Sequence, residues 1–487
     1  MADSRPASPC KARALACIGL IAAMSGCTLQ AEYSAPAMEM PKQWPDAQDA
    51  TGTSESDSPF PARWWTALRD PAIDTLVLAA LSESPTVDEV VARTDEARAR
   101  LRGVGAQRLP SIQAKASAAR QQGAAAEAGE TERSSVADAS LDVGYELDVF
   151  GRVRETVRAA ESRFAARSAD VQSARLTLVA QVADGAVALR ACAFSQRVRA
   201  LDIESRMQVL DLTRKRVAAG VDARVEESRA RSSLASARTE AALLNQECEG
   251  RAHALYALTG LSSVEVRSIV LGPGEGIPEN SLSFMPLAPE LPLPLPATVL
   301  THHPELLAAD RDAAAAWSDV GVARAARLPR IDLGGILTGN WVRAAGSALN
   351  FTTWSFGPTL TAPLFDGGAG ASNVDAEEAR CRAAVARLRQ AVRRVVHDVE
   401  AALAFEESSR VRVSSAQEAL GAARDTFLVT ERRWRAGATS LFELEDARRQ
   451  RSAAEDAAIA ATRDHVQAWI ALMKAIGVVT PPLQNSD

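Results

Sequence analysis

Aromatic residues and histidine are scarce in this 487-residue sequence: 5% of it is Phe, Trp or Tyr, and it contains five histidines. A low aromatic content combined with abundant alanine favours long, closely packed helices over a thick globular core. The histidines do not cluster, and the sequence has no CxxC pair, no Ser/His/Asp order and no phosphate loop with its lysine. It therefore predicts no catalytic residue, no cofactor and no metal site, and a protein that is not an enzyme.

Long apolar runs and an excess of positive charge are also missing. No apolar run reaches ~20 residues, which excludes a transmembrane helix in the mature chain. Lys and Arg number 55 against 61 Asp and Glu, a net charge of −6, which argues against nucleic acid as a partner. The length is sufficient for two or three ordinary domains with a large core.

The N-terminal residues are typical of a bacterial export signal. An apolar segment at 14–24 is followed by Ser25-Gly26 and then by Cys27, and small residues directly before a cysteine resemble a lipobox. We expect Cys27 to be the acylated, palmitate-bearing first residue of the mature protein. Thr28 follows it in place of an aspartate, which by resemblance favours the outer membrane. The alternative is a plain secretory signal that is cut elsewhere.

Short patterns occur twice in the chain, about 218 residues apart, which predicts an internal two-fold repeat. The repeated patterns are Leu-x-x-x-Pro at 81–85 and 300–304, Arg-Leu-Pro-x-Ile at 108–112 and 327–331, and glycine pairs at 220 and 260 and again at 437 and 477. The predicted divisions are a signal peptide at 1–26, an N-terminal lipidated segment at 27–70, a first repeat at 71–260, a Pro/Gly linker at 261–296, a second repeat at 297–477 and a tail at 478–487.

Each repeat is predicted to contain two strands followed by a long helix hairpin, so the fold class is α+β. Apolar and polar residues alternate along all four predicted strands, which gives each one apolar and one polar face. The strands are placed at about 111–120, 136–149, 331–343 and 351–363, and the helix hairpins at 152–260 and 369–477. The first helix of each hairpin lacks proline and could extend ~100 Å at ~1.5 Å per residue.

Four strands of this length match the strands of a membrane barrel but are too few to close one. An open sheet edge in lipid leaves backbone groups without hydrogen-bond partners. Either the strands form a soluble sheet, or several chains share one barrel. The predicted lipid anchor and the unusually long helices favour the shared barrel, with the polar face lining a lumen.

The sequence resembles the TolC-like outer-membrane efflux proteins, in particular the lipoprotein (NodT-type) branch that serves resistance-nodulation-division pumps. The resemblance rests on the lipidated start at 27–36, Trp64-Trp65 with Asp70-Pro71, the strand-to-helix corners at 145–152 and 363–367, and the turns at 216–220 and 433–437. It implies a homotrimer whose shared outer-membrane β-barrel of twelve strands continues into a long α-helical periplasmic barrel. The chain would be lipid-anchored and barrel-inserted in the outer membrane.

The resemblance also implies a function. It implies the gated exit duct of a tripartite efflux pump, which conducts small molecules passively. The partners would be a periplasmic membrane-fusion adaptor protein, an inner-membrane resistance-nodulation-division transporter and outer-membrane lipid. Two alternatives stay open: the duct of a protein-secretion system, and a non-conducting lipoprotein that bridges the periplasm.

The two helix turns are the expected functional sites, here named the first tip (216–226) and the second tip (433–446). By resemblance, rings of acids near the turns constrict the periplasmic mouth and favour cations. The arginines that flank the turns are in a position to hold the tips closed by pairing with acids. The predicted gate residues are Glu226, Glu443, Asp446, Arg216 and Arg433, and the predicted adaptor-docking residues are Val217, Gly220, Val221, Trp434, Gly437 and Thr439. The alternative is that the acids belong to a solvated helix face and that the arginines are ordinary helix C-terminal cations.

Cys192 and Cys248 lie at equal distances before and after Gly220. Antiparallel helices that fold back at this glycine would bring the two cysteines to the same height, in an oxidising compartment. A disulfide between them is therefore possible, and the alternative is two small buried core residues. Ser409 and His465 stand at the equivalent places in the second repeat.

Overall fold

A computed structural model describes residues 31–37, 63–124, 131–272, 284–290, 300, 302–344 and 347–478. The predicted signal peptide, Cys27 and most of the predicted tail lie outside the described residues. The chain divides into two compact units. The first comprises Met1–Ala37, Arg93–Arg167 and Ala308–Arg389, and the second comprises Met38–Ala92, Ser168–Leu307 and Gln390–Asp487.

The first unit contains one four-stranded antiparallel sheet in the order β1-β2-β3-β4. Its strands are β1 (Ser111–Ala124), β2 (Thr131–Leu147), β3 (Arg330–Ala344) and β4 (Ser347–Thr361). β2 pairs with β3 from Ser134↔Ala344 to Leu147↔Ile331, which joins the two hairpins into one sheet. Each strand of the first hairpin is longer at the hairpin end than predicted, because the β1–β2 ladder continues to Ala124↔Thr131.

The register gives the sheet an apolar face and a polar face. One row runs from Ala114 through Leu141 and Leu337 to Trp354, and the next row runs from Lys115 to Thr353. Because paired residues of an antiparallel sheet point to the same side, the first row belongs to the apolar face and the second to the polar face. Leu141, Leu337 and Trp354 are 49%, 47% and 77% exposed, so the apolar face is uncovered within this chain.

Eight α-helices occur among the described residues. They are α1 (Pro71–Glu83), α2 (Pro85–Gly105), α3 (Arg152–Ala218), α4 (Arg224–Thr259), α5 (Ser263–Leu271), α6 (Pro304–Ala325), α7 (Ala369–Arg435) and α8 (Leu441–Ala475), with short 3₁₀ helices at Trp64–Leu68 and Ala106–Arg108. Three of them begin with proline, whose fixed φ suits the first helical position and whose missing N–H leaves no bond unmade there. The helices α3 and α7 are each 67 residues long.

A charged cluster holds the start of α1 in the second unit. Asp70 accepts the backbone N–H of Ala72 at 3.0 Å, which caps α1, and it also forms a buried ion pair with Arg190. The Arg190 guanidinium donates in addition to the carbonyl of Val270, at 3.0 and 3.1 Å. The Asp70-Pro71 pattern therefore starts a helix and neutralises a buried arginine.

The predicted linker at 261–296 begins with a helix, α5, that the sequence analysis did not anticipate. Ser262 and Glu265 form a capping box, in which the Ser262 N–H donates to Glu265 at 2.8 Å and the Glu265 N–H donates to the Ser262 hydroxyl at 3.3 Å. Val266 and Val270 are buried. The capping box and this apolar pair stabilise a short helix at a place where proline and glycine further along the chain indicated a linker.

One stretch of α3 is long and apolar enough to cross a membrane by length and composition, although no such segment was expected. Most of this stretch, 78%, is buried inside the protein. Burial of this extent is typical of a core helix, and alanine and valine at positions such as Val179, Ala183 and Val187 form part of the core.

Candidate functional site

The first tip reverses the chain between α3 and α4. Gly220 has a φ of +70°, a left-handed conformation that glycine adopts without steric cost. Its N–H donates to the carbonyl of Val217 at 3.1 Å, and the Val221 N–H donates to the carbonyl of Arg216 at 2.9 Å. These bonds satisfy carbonyls that the end of α3 would otherwise leave unpaired.

The second tip repeats this backbone geometry between α7 and α8. Gly437 has a φ of +73°, its N–H donates to the carbonyl of Trp434 at 2.9 Å, and the Ala438 N–H donates to the carbonyl of Arg433 at 2.8 Å. The two turns therefore share one backbone conformation, and any functional difference between them lies in their side chains.

In the first tip, the predicted gate residues are bound within their own turn. Arg216 forms two bonds with Asp222, at 2.8 Å from Nε and 3.2 Å from Nη2. Glu226 accepts from Arg229 at 2.8 Å. α4 starts after Ala223, which offers no side-chain cap. Arg216 thus stabilises its own turn. The sequence predicted pairing with acids but did not indicate that the acid would lie in the same turn.

In the second tip, the corresponding arginine has no partner among the described residues, and the aromatic residue is packed. Arg433 is exposed, and its guanidinium forms no hydrogen bond or ion pair within the described part of the chain. Trp434 and Leu441 pack against a buried cluster. The cluster consists of Val209 of α3, Phe427 of α7 and Leu444 of α8. The second tip is therefore held by apolar contacts between helices.

The predicted gate acids of the second tip have local partners. Glu443 accepts a hydrogen bond from the Thr439 hydroxyl, and its N–H donates to Ser440, the N-cap of α8, at 3.2 Å. Asp446 accepts from Arg449 at 3.0 Å and from Gln450 at 2.7 Å.

The predicted docking residues differ in exposure. Gly220, Val221 and Gly437 are exposed, with Val221 66% accessible, whereas Val217, Trp434 and Thr439 are partly buried. The three exposed residues lie in the turns themselves. A partner that approaches the turns would meet mainly backbone and small side chains.

A buried network of charges near the tips joins three helices and was not predicted. Arg206 of α3 pairs with Asp202 at 2.7 Å and with Glu445 of α8 at 3.4 Å. Ser233 of α4 donates to Glu445 at 3.1 Å and accepts from Arg206, and Arg448 forms an ion pair with Glu445. Burial lowers the pKa of the Arg448 guanidinium.

The position of Arg448 in the sequence could have predicted this network. It lies four residues after the buried Leu444, on the same face of α8. A charge on a buried helix stripe needs partners because an isolated buried charge is costly.

A second set of ion pairs joins the same three helices further from the turns. Arg199 of α3 pairs with Glu240 of α4 at 3.1 Å and with Asp456 of α8 at 2.8 Å. Burial raises the pKa of the Asp456 carboxyl. Together with the network of Arg206, these pairs tie the first hairpin to α8 at two heights.

A disulfide joins Cys192 of α3 to Cys248 of α4. The two Cα atoms are 5.7 Å apart and the residues are separated by 56 positions. Both cysteines are buried. Cys381 is a free, buried cysteine. The structure thus fits the disulfide rather than the alternative of two unlinked core residues.

Two corners of the first unit lead from strand to long helix with aspartate as the cap. Asp148 accepts the N–H groups of Val153 at 2.9 Å and Arg154 at 2.8 Å. Glu146 and Arg152 flank this cap with a two-bond ion pair at 2.8 and 2.6 Å. These bonds satisfy the first amides of α3.

At the second corner, Asp366 accepts the N–H groups of Gly370 at 2.7 Å and Gly368 at 2.9 Å. These two bonds lower the pKa of the Asp366 carboxyl. The glycines of this segment thus serve a cap and a turn, with Gly367 at a φ of +64°. Asp148 and Asp366 have the same role in the two corners.

No group of three or more His, Cys, Asp or Glu side chains that could hold a metal occurs among the described residues. Cys27, the predicted lipidation site, lies outside them. The described residues thus form an uncovered apolar sheet face, two capped corners between strand and helix, and two glycine turns. Buried ion pairs join the helices close to these turns.

Comparison with known families and proteins gives consistent matches. The sequence matches the family "Outer membrane efflux protein" at residues 76–261 and again at 295–478. It is similar to the pyoverdine export outer membrane protein OpmQ of Pseudomonas putida, with 30% identity over 424 residues, 85% of this chain and 87% of that protein. It is also similar to nodulation protein T of Rhizobium leguminosarum bv. trifolii, with 26% identity over 461 residues, 93% of this chain and 95% of that protein.

A solved structure shows the same fold. The outer-membrane channel OprN superimposes with a TM-score of 0.80 at 27% identity, and the match covers 93% of this chain and 99% of that one. The fold is therefore that of the TolC-like channels, mostly helical with a four-stranded antiparallel sheet.

Proposed function

Because the chain belongs to the outer membrane efflux protein family, we propose that three copies of it close one β-barrel and form the gated exit duct of a tripartite pump. The function of the chain is that of an outer-membrane efflux channel, and its location is the outer membrane with an extension into the periplasm.

The observation that carries the proposal is the incomplete sheet with its uncovered apolar face. β1 and β4 are the edge strands of the sheet that the structure describes, and lipid offers no partner to their free N–H and C=O groups. Trp354, Phe356 and Leu360 of the apolar face are 77%, 67% and 67% exposed. Pairing β1 of one copy with β4 of the next satisfies the edges, and three copies give twelve strands around the lumen.

The polar face supplies the lining of that lumen. Lys115 and Asp142 form an ion pair across β1 and β2 at 2.9 Å, and Ser117 donates to Asp138 on the same face. Charged and hydroxyl groups of this kind keep a pore wet, whereas the opposite face suits lipid. The arrangement supports passive conduction of small polar solutes.

The chain is organised, on this proposal, as a repeat with a lipid anchor. The residues 71–260 and 297–477 each carry a strand hairpin, a capped corner and a helix hairpin with a glycine turn, joined by the segment 261–296 with α5. Cys27 carries the acyl groups and adds to the insertion of the barrel. The anchor and the barrel place the chain on the membrane by two separate means.

The tips are the proposed contact with the periplasmic membrane-fusion adaptor protein, which in turn joins the duct to an inner-membrane resistance-nodulation-division transporter. The exposed backbone around Gly220 and Gly437 supports this role, since a partner can approach it closely. OpmQ is named as a protein of pyoverdine export, so a relative acts as the outer-membrane part of an export system.

The gate is proposed at the second tip. Glu443 and Asp446 lie on one turn of α8, and in a trimer each contributes a ring of three carboxylates. Glu226 contributes a third ring from the first tip. Such rings attract cations and repel anions near a constriction. Arg433 is free to pair with an acid of a neighbouring copy, whereas Arg216 is already bound to Asp222.

Recording from the purified trimer in a planar lipid bilayer tests the duct and the gate together. Wild-type protein should conduct with a preference for cations, measured as a reversal potential in a salt gradient. The double variant Glu443→Gln, Asp446→Asn should lose most of this preference. Asp425→Asn, which removes an exposed acid from α7, is the matched control and should leave the preference unchanged.

The outcomes separate the parts of the proposal. Wild-type protein that inserts yet never conducts would contradict the duct and favour the bridging lipoprotein. Conduction with an unchanged cation preference in the double variant would contradict the gate alone. A protein-secretion duct would conduct as well, and a requirement for a secretion system rather than a pump in cells would identify it.

A further inference from the structure

The apolar face of the sheet carries charge at one end only. Among its described side chains, the charged residues are Arg120, Arg133 and Arg343. Arg120 pairs through Ser135 with Arg343 in one row, and Arg133 lies opposite Gln122 in the adjacent row. No acidic side chain occurs on this face among the described residues of the four strands.

These three arginines lack carboxylate partners, unlike the charges of the polar face. Arg133 donates to the side chain of Gln122 at 3.2 Å, and no described residue forms an ion pair with any of the three. On the polar face, by contrast, Lys115 pairs with Asp142 at 2.9 Å and Arg330 pairs with Asp332 at 2.7 Å. Among the described residues, the cluster on the apolar face is therefore a net positive charge without a counter-ion.

A groove of ≈ 480 Å³ lies on the apolar face at this end. Its lining includes Arg120, Ser135, Trp341, Arg343 and Asn350. The small side chain of Ser135 separates the two arginines, which stand on strands ~10 Å apart at ~4.8 Å per strand. Two long guanidinium side chains at that spacing can both reach one anionic group above Ser135.

The height of the cluster places it at a membrane surface. Along β2, Leu147 lies near the corner that leads to α3, and Ser135 lies about 12 residues away, ~40 Å at ~3.4 Å per residue. With a strand tilt of ~40°, this is ~30 Å along the membrane normal, close to the ~25 Å apolar band of an outer-membrane barrel. Trp341 is where an interfacial aromatic residue is expected, one row nearer the centre than Arg343.

We propose that Arg120, Arg133 and Arg343 bind a phosphate group of an outer-leaflet lipid headgroup, while the acyl chains of that lipid lie against the apolar face. Guanidinium groups bind phosphate through paired N–H···O bonds. Their position at the end of the strands opposite the corners corresponds to the outer surface of the membrane. The inference rests on the proposed function, because it requires the apolar face to contact lipid.

Lipid retention by the purified full-length trimer tests this site. Wild-type protein, the triple variant Arg120→Gln, Arg133→Gln, Arg343→Gln and the control double variant Lys115→Gln, Arg330→Gln are each titrated with diphosphorylated lipid A in detergent, and bound lipid is counted by native mass spectrometry. The control removes cations from the polar face of the same strands. The triple variant should bind lipid A at least about tenfold more weakly, as expected for the loss of several charge-assisted bonds, whereas the control should bind as wild type does.

Two further probes identify the bound chemistry. Lipid A without its phosphates should bind wild-type protein as weakly as the triple variant binds the phosphorylated form. Inorganic phosphate should not compete at millimolar concentration, because the acyl chains contribute to binding. Competition by inorganic phosphate would show a simple anion site and contradict the lipid site, and so would equal binding of lipid A by all three proteins.

Conductance distinguishes this inference from the proposed function. The triple variant should form trimers and conduct in phosphatidylcholine bilayers as wild type does. If wild type conducts and lipid A binding is unaffected by the substitutions, the lipid site is wrong and the channel is not. If wild type neither inserts nor conducts, the channel and the lipid site fail together.

Discussion

The first and second tips have the same backbone and different supports. Gly220 and Gly437 adopt nearly equal positive φ angles, and the same pair of amide bonds closes each turn. The first tip is closed by an ion pair between Arg216 and Asp222, whereas the second is held by Trp434 in an apolar cluster between helices.

This difference shows which properties a turn needs and which it is free to vary. The left-handed glycine and its amide bonds are needed by any reversal of this type. The side chains then decide whether the turn is secured to itself or to its neighbours. A displacement of the neighbouring helices would reach the second tip through these contacts, which supports the proposal that the gate lies there.

The buried network around Glu445 joins the first hairpin to α8, and its loss should have the largest effect on stability. Glu445→Ala leaves Arg206 and Arg448 buried without their shared carboxylate, which should destabilise the protein by about 3–5 kcal/mol. Thermal unfolding of the purified protein in detergent measures the change. Asp446→Ala, next to it and bound to an exposed arginine, is the control and should cost about 0–1 kcal/mol. Equal effects of the two substitutions would contradict a buried role for Glu445.

The disulfide cross-links the first hairpin and not the second, so its removal should affect the two hairpins differently. Cys192→Ser with Cys248→Ser should lower stability by about 2–4 kcal/mol, since the bond closes a long loop in the unfolded chain. Hydrogen exchange should rise in α3 and α4 and stay unchanged in the second hairpin. Cys381→Ser removes the free cysteine and should produce neither effect. An equal rise in exchange in both hairpins would show that the bond acts globally.

A smaller effect, dependent on pH, distinguishes two equivalent helix starts. Ser84 accepts the N–H of Val87 at 3.4 Å at the start of α2, and His303 accepts the N–H of Glu305 through Nδ1 at 3.2 Å near the start of α6. Burial lowers the pKa of His303 from 6.5 to about 4, although Asp398 and the backbone of Ala475 act to raise it.

The sign follows from the lowered pKa. Above the pKa of His303 in the unfolded chain, 6.5, the imidazole is neutral in both states and protonation costs the folded state nothing. As the pH falls from 6.5 towards 4, the unfolded chain binds a proton that the folded protein does not, and stability is lost. Acidification from pH 7.5 to pH 5 should therefore cost about 2 kcal/mol from this residue. His303→Ser, which copies Ser84, should flatten the pH dependence of the unfolding temperature, and His253→Ser at an exposed site should not. A dependence that persists in His303→Ser would assign it to another group.

Strands, long helices and turns were accessible to sequence analysis because each has a periodic or positional signal. Alternation along β2 and β3 predicted an apolar and a polar face, and the register places Leu141 and Leu337 side by side on the first. The same holds for Gly220 and Gly437, where the spacing of the repeat indicated two equivalent turns. The shared family fold is in agreement with these expectations.

Contacts between distant charges could not be predicted in this way. The sequence shows that Asp202 and Arg206 are one helical turn apart, but not that Glu445, on another helix, also pairs with Arg206. Helix α5, by contrast, could have been predicted, because Ser262 and Glu265 form a capping box. The prolines nearby indicated a linker instead. The sequence did not reveal that Arg120 and Arg343 lie in one row of the apolar face, because the two residues belong to different hairpins.

The edge strands β1 and β4 have a consequence for the biogenesis of the protein. A lone chain cannot enter lipid as a finished barrel, because its two outer strands would carry unpaired amides and carbonyls into the hydrocarbon. On the proposed shared barrel, subunit recognition therefore comes before membrane insertion or accompanies it. Assembly of the proposed trimer would then be a checkpoint, because only a sheet whose edge strands are paired with those of other copies is stable in the bilayer.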